Sequence, residues 1–515
     1  MLTFRVLEGG KPPAELDTGG MYLTSLEGQP IRGRFRYVPA EGLLFCERRS
    51  QGLAALNLPW SVAGGSRLML RSALLPDREE PYLLPLELAR GHLAGLWRKK
   101  DDWGYIYAEP LKGFEKAFQE VKGTLARAMA VQGSPAEAAA LAEEALGRAV
   151  DLGERLASAD ARLGVLRRRK RGDLAGVDFG CHWELLDQHP TAQQRFAETF
   201  NYATLPFEWR RIEPREQEFD WRWHDGWVHW LEAKGLAIKG GGLVRFAETS
   251  LPDWVWIWEN DFETIRDSVF DHVERCVQRY RGRVDHWGAV AGMHVENCMR
   301  FSLDQVLDLT RVCAHAVRRT DPAARVVLDT VHPWGEYFAT NQQSVWPFHY
   351  AEMCVNAGIE FDIIGLEFLL GTAGQGRHCR DLLAVSDMLD RFGALGKPVH
   401  VTAVAVPSAC YADPDAALGA GHQPGAGGTW RQPWDEVVQG EWLAEFYRLA
   451  ISKPFLTAVS WRDFSDHQAH CFPHGGLLRR NLQPKIALER LVNVRQELWP
   501  EGGTAEAGNV VFPEA

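Results

Sequence analysis

The chain has 515 residues, enough at about 150 residues per domain for two to four domains with a large buried core, and this excludes a small disulfide-held scaffold. Its 57 basic and 68 acidic residues leave a net charge of −11, which is the wrong sign for neutralising phosphates, so nucleic acid is not an expected partner. Twenty tryptophans are the compositional outlier, and an indole face suits sugar rings and packed cores alike.

Met1 to Asp17 shows no basic segment followed by an apolar one and a cleavage site. No run reaches about 18 apolar residues, and the nine cysteines, from Cys46 to Cys471, include no C-x-x-C pair. A reduced, cytoplasmic protein with no membrane partner is expected. Residues 1–85 predict a small β-sandwich-like domain, with strands over Thr3 to Leu7, Ile31 to Tyr37, Leu43 to Glu47 and Arg67 to Leu74, each bounded by turn residues. Residues 86–175 predict a helical segment or linker, with helices over Leu86 to Lys99 and Leu111 to Val131 and a third opening at Ser134-Pro135-Ala136-Glu137. That motif is a capping box with proline at the first helical position. The third helix ends in Arg167-Arg168-Arg169-Lys170-Arg171, a solvated basic cluster at the negative pole of its dipole.

From Gly176 the texture changes to apolar strand-like runs alternating with helical patterns. Strands are predicted over Val177 to Cys181, Ala203 to Phe207, Ala237 to Leu243, His286 to Gly292, Arg325 to Asp329, Ile363 to Phe368, Val399 to Val404 and Ala458 to Arg462. Eight such strands with intervening helices predict an α/β fold, a (β/α)8 TIM barrel over 176–499, whose chemistry belongs at the strands' C-terminal ends. Residues 500–515 read as a flexible tail.

Several stretches in order carry a resemblance: Thr204 to Glu208 with Ile212-Glu213-Pro214, Lys239 to Val244 followed by Leu251-Pro252-Asp253-Trp254, Tyr280 to Val284 with Trp287, Phe361 to Glu367, and Ser460-Trp461 with Gly476-Leu477-Leu478. Together, over Gly176 to Trp499, they resemble glycoside hydrolase family 10, the retaining endo-β-1,4-xylanases. Such enzymes need two carboxyl groups about 5 to 5.5 Å apart, one acid and one nucleophile. The family carries them in Trp-Asp-Val-Val-Asn-Glu and Ile-Thr-Glu-Leu-Asp; here those segments read Trp287 to Gly292 and Val401 to Ala405. Gly292 and Ala403 thus stand in the two places, and neither can donate a proton or form a glycosyl ester.

The resemblance therefore implies a carbohydrate-active barrel binding an oligo- or polysaccharide, without the family's double displacement. Two alternatives stay open: a glycosidase whose catalytic pair has moved to Glu296 and Glu367, and a non-catalytic scaffold or interaction protein. Expected substrate-binding residues are Glu208, Arg210, Arg245, Trp254, His294, Asn297, His400, Trp461 and Arg462. Arg210, Arg245 and Arg462 are expected to converge, and planar guanidinium forks suit a uronate-bearing glycan. His400 is either a pocket base or a core histidine. No cofactor is called for, and His467, His470, Cys471 and His474 match no established metal signature, a polar loop being the expectation. Trp254 and Trp461 are the expected sugar platforms. Trp223, Trp227 and Trp230 share one helix face and are read as packing, and Trp430 and Trp434 as lying on a lid beyond the glycine-rich stretch 419–428.

Overall fold

The computed structural model describes residues 1–49, 52–103, 113–183, 189–419, 423 and 425–499. The expected tail lies outside the described residues, as does part of the glycine-rich stretch.

Eight short strands form two four-stranded sheets. They are β1 (Leu2–Arg5), β2 (Tyr22–Thr24), β3 (Pro30–Ile31), β4 (Gly33–Val38), β5 (Leu43–Arg48), β6 (Ala55–Val62), β7 (Ser66–Arg71) and β8 (Tyr82–Leu83), ordered β4-β5-β1-β8 and β3-β2-β6-β7. Leu2, Phe4, Leu44, Leu56, Leu58 and Leu70 supply a fully enclosed apolar core. Strand β6 escapes sequence reading because it is buried on both faces and carries Pro59. Its pairing with β2 ends at Asn57, so the missing Pro59 N–H leaves no gap in that ladder.

Helices α1 (Leu84–Asp102), α2 (Phe114–Ala130) and α3 (Pro135–Arg171) follow. Ser134 occupies the N-cap of α3, but its side chain makes no capping hydrogen bond, so the expected capping box does not form. The basic C-terminus of α3 is likewise not simply solvated. Arg168 is buried and donates to the carbonyls of Ile451 and Lys453, both at 2.8 Å, and of Leu456 at 3.1 Å. The carbonyls at the end of α11 (Glu436–Ser452) have no helical partners of their own, and the guanidinium supplies one. Close approach continues at Gly164, where a Cβ would lie 2.8 Å from Ser452 Cβ.

The eight expected barrel strands are all present: β9 (Asp178–His182), β10 (Tyr202–Pro206), β11 (Ala237–Gly241), β12 (His286–Ala291), β13 (Arg325–Thr330), β14 (Ile363–Leu369), β15 (Val399–Ala405) and β16 (Leu456–Trp461). All pair in parallel, and β16 pairs with β9 to close the barrel. Two glycines make room on either side of the barrel wall: a Cβ on Gly240 would run into the Trp287 ring on the helix side, and one on Gly365 into the Asp329 carboxylate inside. Trp223, Trp227 and Trp230 pack against the core as read, with the rings of Trp227 and Trp230 at 4.5 and 4.8 Å from Trp183. Trp430 and Trp434 differ from expectation. Both are buried; Trp430 Nε1 donates to Glu154 Oε1 at 2.6 Å and Trp434 Nε1 to the Gly428 carbonyl at 2.9 Å, which makes them anchors and not lid residues.

Candidate functional site

The C-terminal ends of the barrel strands enclose a cavity of about 130 Å³, whose charged lining is Glu208, Lys239, Arg245, Asp329, Glu367 and Arg462. Its floor is an ion pair. Lys239 of β11 and Asp329 of β13 face inward, and Lys239 Nζ lies 2.9 Å from both Asp329 oxygens, with each side chain almost wholly enclosed. Beside them His182 Nε2 donates to the Thr402 carbonyl at 2.8 Å. Burial and the nearby Arg462 charge hold this imidazole far below its ordinary pKa, so it is neutral.

Strand β12 ends at Ala291, and Gly292 just after it adopts the left-handed conformation with φ of 66°. The backbone N–H groups of Val295 and Glu296 then both donate to the Gly292 carbonyl, at 3.0 and 2.8 Å. This tight turn carries Glu296 back toward the strand it has just left. Its carboxylate takes a two-pronged ion pair from Arg245 Nε and Nη2, and Oε2 lies 2.8 Å from where a Cβ on Gly292 would be.

On the next side of the barrel, Glu367 of β14 is the register partner of Ala403 of β15. Burial raises the Glu367 carboxyl above its ordinary pKa; Arg245 and Arg462 pull it down, Glu296 pushes it up, and the balance stays upward. Burial alone would lower the Arg245 pKa, but the hydrogen bond and charge of Glu296, with Glu367 behind them, raise it, so Arg245 is cationic throughout. Arg245 is thus paired directly with Glu296 and coupled by charge to Glu367, whose pKa is raised.

Of the expected binding residues, Glu208, Arg245 and Arg462 line this cavity together with Glu367. The others do not. Arg210 lies outside the lining and pairs with Asp253 at 2.9 Å, so the three arginines do not converge. Trp254 is half-buried, donating from Nε1 to the Glu213 carbonyl at 3.1 Å, with its ring edge-on to Trp209. Trp461 is fully buried and donates to the Gly475 carbonyl at 2.8 Å, so its indole face is not open to a sugar. His294 is buried behind the site, bonded to the Val331 carbonyl at 2.9 Å and stacked on Tyr350. Asn297 braces its own loop, accepting from Phe301 N and donating to Phe301 O at 2.8 Å each.

His400 belongs to the barrel core, one inward-facing layer below Thr402, with its ring 5.0 Å from that of His286. Burial, with His286 and Lys239 nearby, holds it well below its ordinary pKa, so it is a neutral core histidine and not a pocket base. The histidine-rich segment organises a loop around buried Asp413, whose Oδ2 meets His470 Nε2 at 3.0 Å and His474 N at 2.9 Å, while His467 Nδ1 faces the Arg480 carbonyl. Among the described residues no group of three or more His, Cys, Asp or Glu side chains is arranged to hold a metal ion. The residues that sequence reasoning missed are Lys239, Asp329 and His182. Their signal was parity: opposite charges at inward-facing positions of two otherwise apolar strands.

Residues 175–409 match the sequence model of glycosyl hydrolase family 10. Endo-1,4-beta-xylanase 3 of Hypocrea jecorina is 26% identical over 174 residues, 33% of this chain and 48% of that protein. Endo-1,4-beta-xylanase B of Neocallimastix patriciarum is 22% identical over 183 residues, 34% of this chain and 20% of its own length. The chain thus spans about half or less of these relatives. Xylanase 10B from Thermotoga petrophila, solved with xylobiose, superposes with a TM-score of 0.49 at 17% identity, covering 64% of this chain and 96% of that one. The barrel has a family 10 xylanase-like fold.

Proposed function

We propose that the barrel mouth binds a glycan, and that its acid–base groups stand beside positions 292 and 403, not at them. The observation that supports this most is the pairing of places: Glu296 folded over Gly292, Glu367 in register with Ala403, and Arg245 between them. A retaining double displacement has no nucleophile at residue 403. Binding draws on Glu208 and Arg462 at the walls and on half-buried Trp254 outside them. The small cavity suits one sugar ring, not a chain lying along an open cleft. Arg245 is matched by Glu296, Arg210 by Asp253 and, at 3.8 Å, Arg462 by Asp463, so none of the three is set apart for an acidic sugar. A scaffold with no ligand has no need of convergent charged groups at its strand ends.

The test is calorimetric titration of the full chain with neutral and uronate-bearing xylo-oligosaccharides. Expected is saturable binding that weakens about tenfold or more in Glu367→Gln and Arg462→Ala; no binding to either class, or binding indifferent to both substitutions, removes the proposal.

One observation favours turnover as a second possibility. Glu367 lines the cavity with its pKa raised and so suits a general acid, while Glu296 would have to leave Arg245 to act as a base for water. Two such groups would give inversion at the anomeric carbon. Product analysis by NMR tests this: hydrolysis with retention, or hydrolysis that survives Glu296→Gln and Glu367→Gln, counts against it.

A further inference from the structure

A second cavity, of about 430 Å³, lies where the N-terminal sheets meet the barrel and shares no lining residue with the barrel mouth. It falls within the roughly 300–1,000 Å³ that enclose small organic ligands. Its walls come from three places: Arg71 at the end of β7, Arg98 and Lys99 in α1, and Asp387 and Arg391 in α10 (Leu382–Gly393).

The charges on these walls do not balance. Lys99 takes up Asp387 at 2.9 Å, and Asp381 is occupied as the N-cap of α10, accepting from Ala384 N. Arg380 is taken by Glu336. Three guanidinium groups remain with no carboxylate at ion-pair distance among the described residues, Asp387 acting on Arg71 and Arg391 only from further off. Arg71 donates from Nη2 to the Ser25 carbonyl at 3.0 Å, while its Nε is buried with no partner. Arg391 donates to the Glu27 carbonyl. Arg98 makes no hydrogen bond or ion pair among the described residues. Burial lowers the pKa of Arg71 and Arg391, and the like charges around them add to this, while Asp387 pulls both back in part. Met69 and Met388 give the same cavity an apolar surface.

We infer that this seam is a binding site for a small organic anion, its carboxylate or phosphate group held by Arg71, Arg98 and Arg391 and its apolar part against Met69 and Met388. Guanidinium forks fit both oxyanions in a two-pronged way. A ligand there would touch the sheets, α1 and α10 at once and so clamp the sandwich to the barrel. Nothing in this depends on what the barrel mouth binds.

The experiment uses the full chain, with thermal unfolding and calorimetry against inorganic phosphate, glucuronate, chloride at matched ionic strength and neutral xylose. Expected is a saturable rise in Tm with phosphate or glucuronate that chloride does not produce and that xylose, a ligand suited to the barrel mouth, does not compete away; the tighter of the two identifies the head group. Arg98→Gln, at an exposed residue without a partner, should fold like the parent and bind about tenfold more weakly. The barrel-mouth variant Arg462→Ala should leave the phosphate response intact. An equal response to chloride, competition by xylose, no saturable binding, unchanged affinity in both Arg98→Gln and Arg71→Gln, or loss of the phosphate response in Arg462→Ala would each overturn the site.

Discussion

The Glu296 carboxylate occupies the space that a side chain on Gly292 would enter, with Oε2 2.8 Å from the Cβ position. Replacement of the glycine is therefore opposed twice, by the carboxylate and by φ of 66°, a conformation that costs an L-residue about 1–2 kcal/mol. Gly292→Ala should lose at least that much in urea denaturation. Adding Glu296→Ala should relieve the steric part and leave the backbone part. Full recovery in the double variant would show that the turn is not held in the left-handed region. The same geometry predicts that Gly292→Glu with Ala403→Glu restores the family's letters without its activity, since the first new side chain displaces Glu296 from Arg245.

The floor of the barrel mouth makes a larger prediction. Lys239 and Asp329 are enclosed together, and removing one partner leaves the other charge buried without compensation, a loss of about 3–5 kcal/mol. Lys239→Met should destabilise on that scale. Lys239→Met combined with Asp329→Asn should recover a substantial share, because no unpaired charge then remains. A double-mutant cycle by chemical denaturation reads the coupling directly, and additive losses would mean that water, not Lys239, solvates Asp329.

The barrel was legible because parallel strands covered on both sides read as unbroken apolar runs, and all eight lay within a few residues of their expected places. In the sandwich, β2 and β8 were too short to show a period, and β6 had none because both its faces are buried. Site residues divided along a similar line. Glu367 sits on a strand, so its position follows from register. The return of Glu296 depends on a left-handed turn that glycine permits but does not announce. Trp461 was misread because strand parity says that a residue points inward, not whether anything is left open above it. Arg210 and Arg245 were read as free charges, whereas Asp253 and Glu296 answer them.

Glu154 of α3 gives a pH dependence of definite sign. Burial raises its carboxyl to about 7, although Arg431, Trp430 Nε1 and the Leu382 amide all favour the charged form. The folded state thus keeps a proton that the unfolded chain, near 4.5, has released. Stability from this group is complete below about pH 4.5 and falls as pH rises toward 7, by about 3 kcal/mol in all. The difference in unfolding free energy between the parent and Glu154→Gln should therefore shrink across that window, and a difference that is flat between pH 4.5 and 7 contradicts it.

The two tryptophans expected as sugar platforms should part company. Trp461 is fully enclosed with its indole N–H satisfied by Gly475, so Trp461→Phe should cost about 1–3 kcal/mol of stability, from a lost hydrogen bond and a small cavity. Glycan affinity should stay within about twofold, because no indole face is available to a ligand. Trp254 is half-buried, edge-on to Trp209 near the site. Trp254→Ala should weaken binding of the same oligosaccharide by about fivefold or more, the scale of one lost aromatic contact. Paired denaturation and titration of both variants separate the roles. A Trp461→Phe protein that folds with unchanged stability and loses binding would mean that the segment over the indole opens in solution.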